Sequence, residues 1–174
     1  MTLKEIQALI RDVPDFPKPG IIFKDITPLL ADADGFRATI DAFAERVAPL
    51  RADGLLAIES RGFIFGAALA LRIGVPLQLV RKRGKLPRAS LSMEYELEYG
   101  VDHLEMHTDA VRRAARYLIV DDVIATGGTA AAVAKMVALQ GGAVAACVFL
   151  IELEFLNGRS RLPGQEVISL IRYG

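Results

Sequence analysis

Apolar and polar positions along this chain follow two rhythms. Five short runs, at 55–58, 76–81, 117–120, 143–151 and 167–171, are almost continuously apolar and rich in branched residues, the pattern of strands buried on both faces. Between them the apolar positions fall at helical spacing. Asp34 is placed to cap a helix whose apolar face is Phe36, Ile40, Phe43 and Val47, and segments 62–73 and 129–140 predict two more helices, the second stopped by Gly141-Gly142. Strands alternating with helices of this length imply right-handed parallel crossovers. The spacing therefore predicts an α/β fold with a doubly wound, mostly parallel sheet and helices on both faces. In such folds ligands sit beyond the carboxyl ends of the strands.

Two regions break the rhythm. Segment 81–87 is basic and contains glycine, and the polar/apolar alternation from Ser92 through His107 predicts a two-stranded excursion from the sheet, a lid spanning 82–107. The first thirty residues carry Pro14, Pro17, Pro19, Gly20 and Pro28 around Ile21-Ile22-Phe23, which is too broken for regular structure and too apolar for a linker. This segment is expected to fold back as a hood. No repeat, low-complexity tract or linker divides the chain, so residues 1–174 are expected to form one domain.

Composition narrows the function. A chain of 174 residues, 52% hydrophobic and 24% charged, buries one substantial core. Its 21 Lys and Arg balance 21 Asp and Glu, so no net field recruits nucleic acid or an anionic membrane, and any polyanion site must be local. The first residues lack the apolar run of a signal peptide, and the longest apolar stretch, 143–151, falls well short of the ~20 residues of a membrane helix. Cytoplasmic location is the expectation. The single cysteine, Cys147, lies in that stretch and reads as a buried, inert thiol.

The strongest chemical signal is Leu118-Ile119-Val120-Asp121-Asp122-Val123-Ile124-Ala125-Thr126-Gly127-Gly128-Thr129. A buried strand delivers two carboxylates, then a glycine-rich turn, then a helix. Successive backbone N–H groups, the Thr126 and Thr129 hydroxyls and the positive end of the helix make a cradle for a phosphate monoester. The helix end contributes only ~0.3–1 kcal/mol, so amides and hydroxyls must carry most of the affinity. Adjacent carboxylates repel phosphate but accept hydrogen bonds from vicinal hydroxyls, and a ribose 5-phosphate satisfies both. The segment has neither the P-loop spacing nor the Gly-x-Gly-x-x-Gly dinucleotide pattern. An ordinary turn explains Gly and Thr but not the Asp pair after a buried strand.

This segment resembles the phosphoribosyl pyrophosphate signature of the type I phosphoribosyltransferases, in which the acid pair holds the ribose hydroxyls and the turn holds the 5-phosphate. The resemblance implies that fold, with a small hood and a flexible two-stranded lid. A second constellation, Glu59-Ser60-Arg61-Gly62-Phe63-Ile64-Phe65-Gly66, also follows a strand and opens a helix. Read alone it is equally a capped helix with a surface arginine. By the resemblance it is the pyrophosphate loop, with Ser60 and Arg61 as ligands and a non-proline cis peptide at Glu59–Ser60.

The basic run Arg81-Lys82-Arg83-Gly84-Lys85-Leu86-Pro87, followed by Leu97-Glu98-Tyr99-Gly100, is by itself a solvated charged face or a mobile lid. It is closely similar to the text of the adenine-specific members of the family. That likeness implies that Arg81, Lys82 and Lys85 contact pyrophosphate oxygens, that Glu98 acts as acid/base at N7 of adenine, and that Tyr99 helps close the site. Segment 16–27 resembles the hood of the same enzymes, with Phe23 stacked on the base and backbone groups of Ile22 and Lys24 reading its edge. Lys24 departs from the arginine of many members, which matters only if the side chain reads the base. Val123 stands where a larger leucine is common, which implies a slightly looser pocket.

Taken together, the four matches run in order from Phe16 to Leu162 and imply adenine and phosphoribosyl pyrophosphate as substrates. AMP and pyrophosphate would form with inversion at the anomeric carbon. Arg61, Lys82 and Glu98 are the expected catalytic residues. Magnesium prefers oxygen ligands and retains water, so it is expected to be held mainly by phosphoribosyl pyrophosphate, with no protein ligand set. The family also implies a homodimer. A phosphoribosyltransferase for another purine is disfavoured by the hood and by residues 97–100. A phosphoribosyl pyrophosphate-sensing regulator is disfavoured by the acidic lid residue and the absence of a basic face. His103 and His107 lie four apart, as in a zinc helix, but their alternating context favours a strand. Glu152 and Glu154 read as a strand end or loop start.

Overall fold

Branched apolar runs form the central sheet, where strands covered on both faces need such composition. In the computed structural model, which describes residues 1–96 and 100–174, the predicted strands are β3 (Gly54–Ile58), β4 (Leu77–Lys82), β7 (Arg116–Ile124), β8 (Ala143–Leu153) and β9 (Val167–Tyr173), all parallel to their neighbours in that set. The lid strands β5 (Ser90–Glu96) and β6 (Val101–His107) pair antiparallel. β6 also pairs with β4, through Arg81↔Glu105 and Lys82↔Leu104, so the sheet has seven strands in the order β5-β6-β4-β3-β7-β8-β9. The alternating segment therefore continues the sheet at its edge and does not leave it as expected.

Helices α4 (Gly62–Ile73) and α5 (Gly128–Leu139) connect β3 to β4 and β7 to β8. β3 faces both ways: Leu55 and Ala57 lie against Gly66 of α4, while Leu56 and Ile58 join the buried cluster that holds Val133, Met136 and Val137 of α5. Helices thus cover both faces, as the spacing predicts. α5 ends where expected, with Gly141 at φ +81° and the N–H of Gly142 donating to the Val137 carbonyl. β7 runs four residues past its predicted end, carrying the acid pair within the strand.

The described residues fall into two compact units, Met1–Ala42 and Phe43–Gly174. In the first, the expectation of an irregular hood is corrected: it contains α1 (Leu3–Ala8), β1 (Arg11–Pro14), β2 (Ile22–Asp25), α2 (Thr27–Ala31) and most of α3 (Ala33–Val47). A capping box starts α1, with Glu5 N–H donating to Thr2 Oγ1 at 3.3 Å and Thr2 N–H donating to Glu5 Oε2 at 2.6 Å. β1 and β2 form an antiparallel hairpin around the proline-rich turn, whose Gly20 N–H donates to Asp15 at 2.7 Å and whose Phe16–Pro17 bond is cis. α3 is capped by Asp32, which accepts from Gly35 N–H at 2.7 Å; Asp34 lies inside the helix and pairs with Arg37. Ile40, Phe43 and Val47 are buried as predicted, and Phe36 half-buried. Among the described residues no helix is long and apolar enough to cross a membrane.

A Cβ on Gly66 would stand 2.5 Å from Ala57 Cβ, so even a methyl group forces α4 away from β3. Gly66→Ala is expected to lower stability by about 1–3 kcal/mol despite its better helix propensity, measured by urea denaturation.

Candidate active site

β3 sends the chain to β4 on one side, and β7 pairs on its other side, so the connections diverge between the carboxyl ends of β3 and β7. Such a reversal opens a crevice. A cavity of about 720 Å³ lies there, lined by residues from both strand ends and both following helix starts.

From β3 come Glu59, Ser60 and Arg61, with Glu59–Ser60 in the cis form as expected. From β7 come Asp121, Asp122 and Val123, and from the next turn Ala125, Thr126, Gly127 and Thr129. Gly127 has φ +80° and precedes α5, while Arg61 precedes α4; among the described residues no side chain caps either start. At the α5 start Thr129 and Ala130 line the cavity, so first-turn amides there face it, an arrangement suited to an anion, whereas at the α4 start the Phe63 and Ile64 N–H groups donate to the Ser60 and Arg61 carbonyls and Arg61 supplies the positive charge.

The acid pair is asymmetric. Asp122 is 4% exposed and accepts from Arg61 Nε at 2.6 Å. Asp121 accepts the Asp122 N–H at 2.9 Å, and Gly62 lies so near that a Cβ there would stand 2.8 Å from Asp121 Oδ1. Desolvation first, then the Asp122 charge, pushes the Asp121 carboxyl well above the ordinary carboxylate range.

The basic segment divides its tasks. Arg81 does not line the cavity: its guanidinium donates to the Glu59 carboxylate at 3.2 and 3.4 Å and to the Lys85 carbonyl at 3.1 Å. Burial would raise the Glu59 carboxyl, but the Lys82 N–H, at 2.9 Å, and Arg81 hold it below its usual value. Lys85 is exposed and outside the cavity lining; Gly128 is buried and also outside it. Lys82 does line it, with its amine paired to Asp102 and 3.3 Å from Tyr95 Oη. Desolvation opposes the ammonium, yet the hydrogen bonds to Asp102 and Tyr95 raise its pKa.

Sequence reasoning missed Tyr95 and Asp102. The signal was the hairpin register, which sets Tyr95 opposite Asp102. It also missed the apolar wall of Ile58, Leu104 and Phe149. Glu98 and Tyr99 lie outside the described residues. In the first unit, Phe23 meets Phe16 edge-on at 5.2 Å, Ile22 is exposed, and the Lys24 amine is held by Asp12 at 2.7 Å across the hairpin. His103 and His107 lie on β6, near Glu94 and the Ala89 carbonyl respectively. No group of three potential metal-binding side chains occurs among the described residues.

The phosphoribosyl transferase domain model matches residues 31–166. An adenine phosphoribosyltransferase of Geotalea daltonii is 52% identical over 171 residues, covering 98% of this chain and 100% of that protein. That of Thermoanaerobacter sp. strain X514 is 54% identical over 173 residues, covering 99% and 100%. The chain belongs to the adenine phosphoribosyltransferase family. The crystal structure of the adenine phosphoribosyltransferase from Thermoanaerobacter pseudethanolicus superposes with a TM-score of 0.97 at 54% identity, covering 99% of this chain and 100% of that one. The Saccharomyces cerevisiae adenine phosphoribosyltransferase, crystallised with adenine and an imino-altritol bisphosphate, gives 0.91 at 39% identity with 97% of each chain covered. These two crystal structures therefore share the overall fold of this chain.

A carboxyl whose folded pKa exceeds its unfolded one destabilises the protein when ionised. That cost is full above the folded value and vanishes as pH falls toward the ordinary 3.8. Asp121→Asn keeps the acceptor for Asp122 N–H, so it is expected to raise the melting temperature of the ligand-free protein by a few degrees at pH 8. The gain should shrink as pH is lowered, read by thermal scans across that range.

Proposed function

We propose that this chain transfers the 5-phosphoribosyl group of phosphoribosyl pyrophosphate to adenine, giving AMP and pyrophosphate, a purine salvage reaction. The observation that carries the reading is the pairing, across one cavity, of the Asp121–Asp122 strand end and its phosphate-suited turn with the Arg61 helix start.

The turn from Ala125 through Thr129, Gly128 included, takes the 5-phosphate on backbone amides and the Thr126 and Thr129 hydroxyls. Asp121 and Asp122 accept from the ribose hydroxyls. Ser60, Arg61 and Lys82 take the pyrophosphate, and the exposed Lys85 and the Glu59-anchored Arg81 supply positive charge behind them. N9 of adenine attacks the anomeric carbon as that carbon's bond to pyrophosphate oxygen breaks, the electron pair leaving with pyrophosphate and the proton on N7 passing to the base there. Glu98 is assigned to N7, Tyr99 to closing the site, and Phe23, with backbone groups of Ile22 and Lys24, to the base, on the resemblance of their segments to the adenine enzymes. Since Asp12 holds the Lys24 amine, backbone recognition explains why lysine serves there.

Magnesium, when bound, neutralises charge on the departing pyrophosphate. The oxygen-rich rim formed by Asp121 and Asp122 fits a hydrated cation carried by substrate oxygens, with no cage of three protein ligands among the described residues. The enzyme acts in the cytoplasm, consistent with Cys147, a buried free thiol whose pKa burial pushes up to about 12. It acts as a homodimer, with the exposed Arg83-Gly84-Lys85 turn available to a partner.

Adenine, hypoxanthine, guanine and xanthine, each supplied with phosphoribosyl pyrophosphate and magnesium, test the reading through AMP and pyrophosphate formation. Turnover is expected with adenine alone. Arg61→Ala is expected to lower kcat about 10²–10³-fold, the loss typical of one well-aimed electrostatic contact, and Glu98→Gln to lower it as well. Turnover with another base overturns the adenine assignment, and phosphoribosyl pyrophosphate binding without turnover overturns the enzymatic one.

A further inference from the structure

We propose that Arg159 is a positioning residue for the 125–127 turn, acting through Gly158 to set the backbone that receives the 5-phosphate. The inference rests on the reading of that turn as the phosphate cradle.

The turn has no side-chain cap among the described residues, so its geometry must be fixed from behind. Gly158 does this by direct backbone contact. A Cβ on Gly127 would collide with the Gly158 carbonyl. One on Gly158 would collide with the Ala125 carbonyl and stand 2.8 Å from Ile124 Cγ1 and 3.1 Å from Gly127 N. Neither position has room for a side chain, and any displacement of Gly158 is passed straight to the amides of the turn.

What holds Gly158 is its neighbour. Arg159 sits on the short turn Gly158–Arg161, and its guanidinium grips Glu152 in a fork, Nε to Oε1 at 2.5 Å and Nη2 to Oε2 at 2.7 Å. It also donates to the Val167 carbonyl at 2.9 Å and to Ser169 Oγ at 3.0 Å, and Ser169 in turn donates to Glu152. Glu152 is 5% exposed and stands in register with Ile124, the last residue of β7 before the turn. A carboxylate so buried needs full compensation, so the pair is an anchor whose position the ends of β8 and β9 dictate. The fork requires a planar donor, which lysine lacks. Arg159 does not line the cavity, so its effect on substrate passes through the turn.

Arg159→Lys, Arg159→Gln and Ser169→Ala in the full chain test this. The measurements are KM for phosphoribosyl pyrophosphate and for adenine, ribose 5-phosphate affinity by calorimetry, and the Gly127 and Gly128 amide resonances. Arg159→Lys is expected to raise the KM for phosphoribosyl pyrophosphate and the Kd of ribose 5-phosphate about tenfold, with the adenine KM within about twofold and both glycine amides shifted. Ser169→Ala should follow in the same direction more weakly, and it keeps the test open if Arg159→Gln does not fold. Folded variants that lose melting temperature but keep both constants, or raise both KM values in parallel, assign Arg159 to stability alone and overturn the inference. Failure of the unaltered chain to bind ribose 5-phosphate overturns the reading of the turn and the inference with it. Equal binding by unaltered chain and variants overturns only the inference.

Discussion

Strand β3 is hydrogen-bonded in parallel to β4 on one edge and to β7 on the other, and the chain must leave both β3 and β7 at the same end of the sheet. Each exit turns into a helix, so two helix starts are brought to one place. The close approach is made possible by small residues: Gly62 lies against the Asp121 carboxylate and the Val120 carbonyl, and Gly66 against Ala57. With larger residues α4 would stand off the sheet, and Arg61 could not reach Asp122 at 2.6 Å. The chemistry of the crevice thus depends on the parallel pairing of β3 with β7 and on the bare backbone of α4.

Concentrating two carboxylates where phosphates are to bind carries an electrostatic cost, and the site distributes it. Asp122 is compensated by Arg61, while Asp121 carries the burden of desolvation and of its neighbour's charge. A ligand that offers hydroxyls to the acids and phosphates to the helix starts relieves both strains together. A bare phosphate relieves one and aggravates the other. On the proposed reading, the spacing of like and unlike charge would favour a phosphorylated sugar over free phosphate.

The branched runs of β3, β7 and β8 were legible as core strands because burial on both faces leaves no other composition, whereas β4 and the edge strand β9 turn out only partly covered; α4 was legible from Gly62 to Ile73 because its apolar spacing is bounded by glycines. The Asp pair was legible as chemistry, yet its acidity hid the continuation of β7 to Ile124, since carboxylates within a buried strand are legible only once a cavity is known to open there. The first thirty residues were misread through their prolines. The Thr2–Glu5 capping box was present in the sequence; Pro14 turned out to end β1, Pro17 and Pro19 to lie in the hairpin turn, and Pro28 to start α2. Glu152 looked like a strand edge because its partners Arg159 and Ser169 are remote in pattern and become neighbours only through β8–β9 pairing. Lys82 was identified, but Tyr95 and Asp102 require the β5–β6 register.

The division of labour within the basic segment follows from exposure. Arg81 is engaged with Glu59 just past the end of β3, and its planar fork suits a fixed carboxylate. Lys82, one residue later on β4, points its flexible amine into the cavity and rests on Asp102 and Tyr95 of the lid strands. An ion pair this accessible is worth only about 0–1 kcal/mol, so an anion entering the crevice would compete for the amine on favourable terms. The cation is thereby kept beside the site without being bound so tightly that substrate cannot claim it.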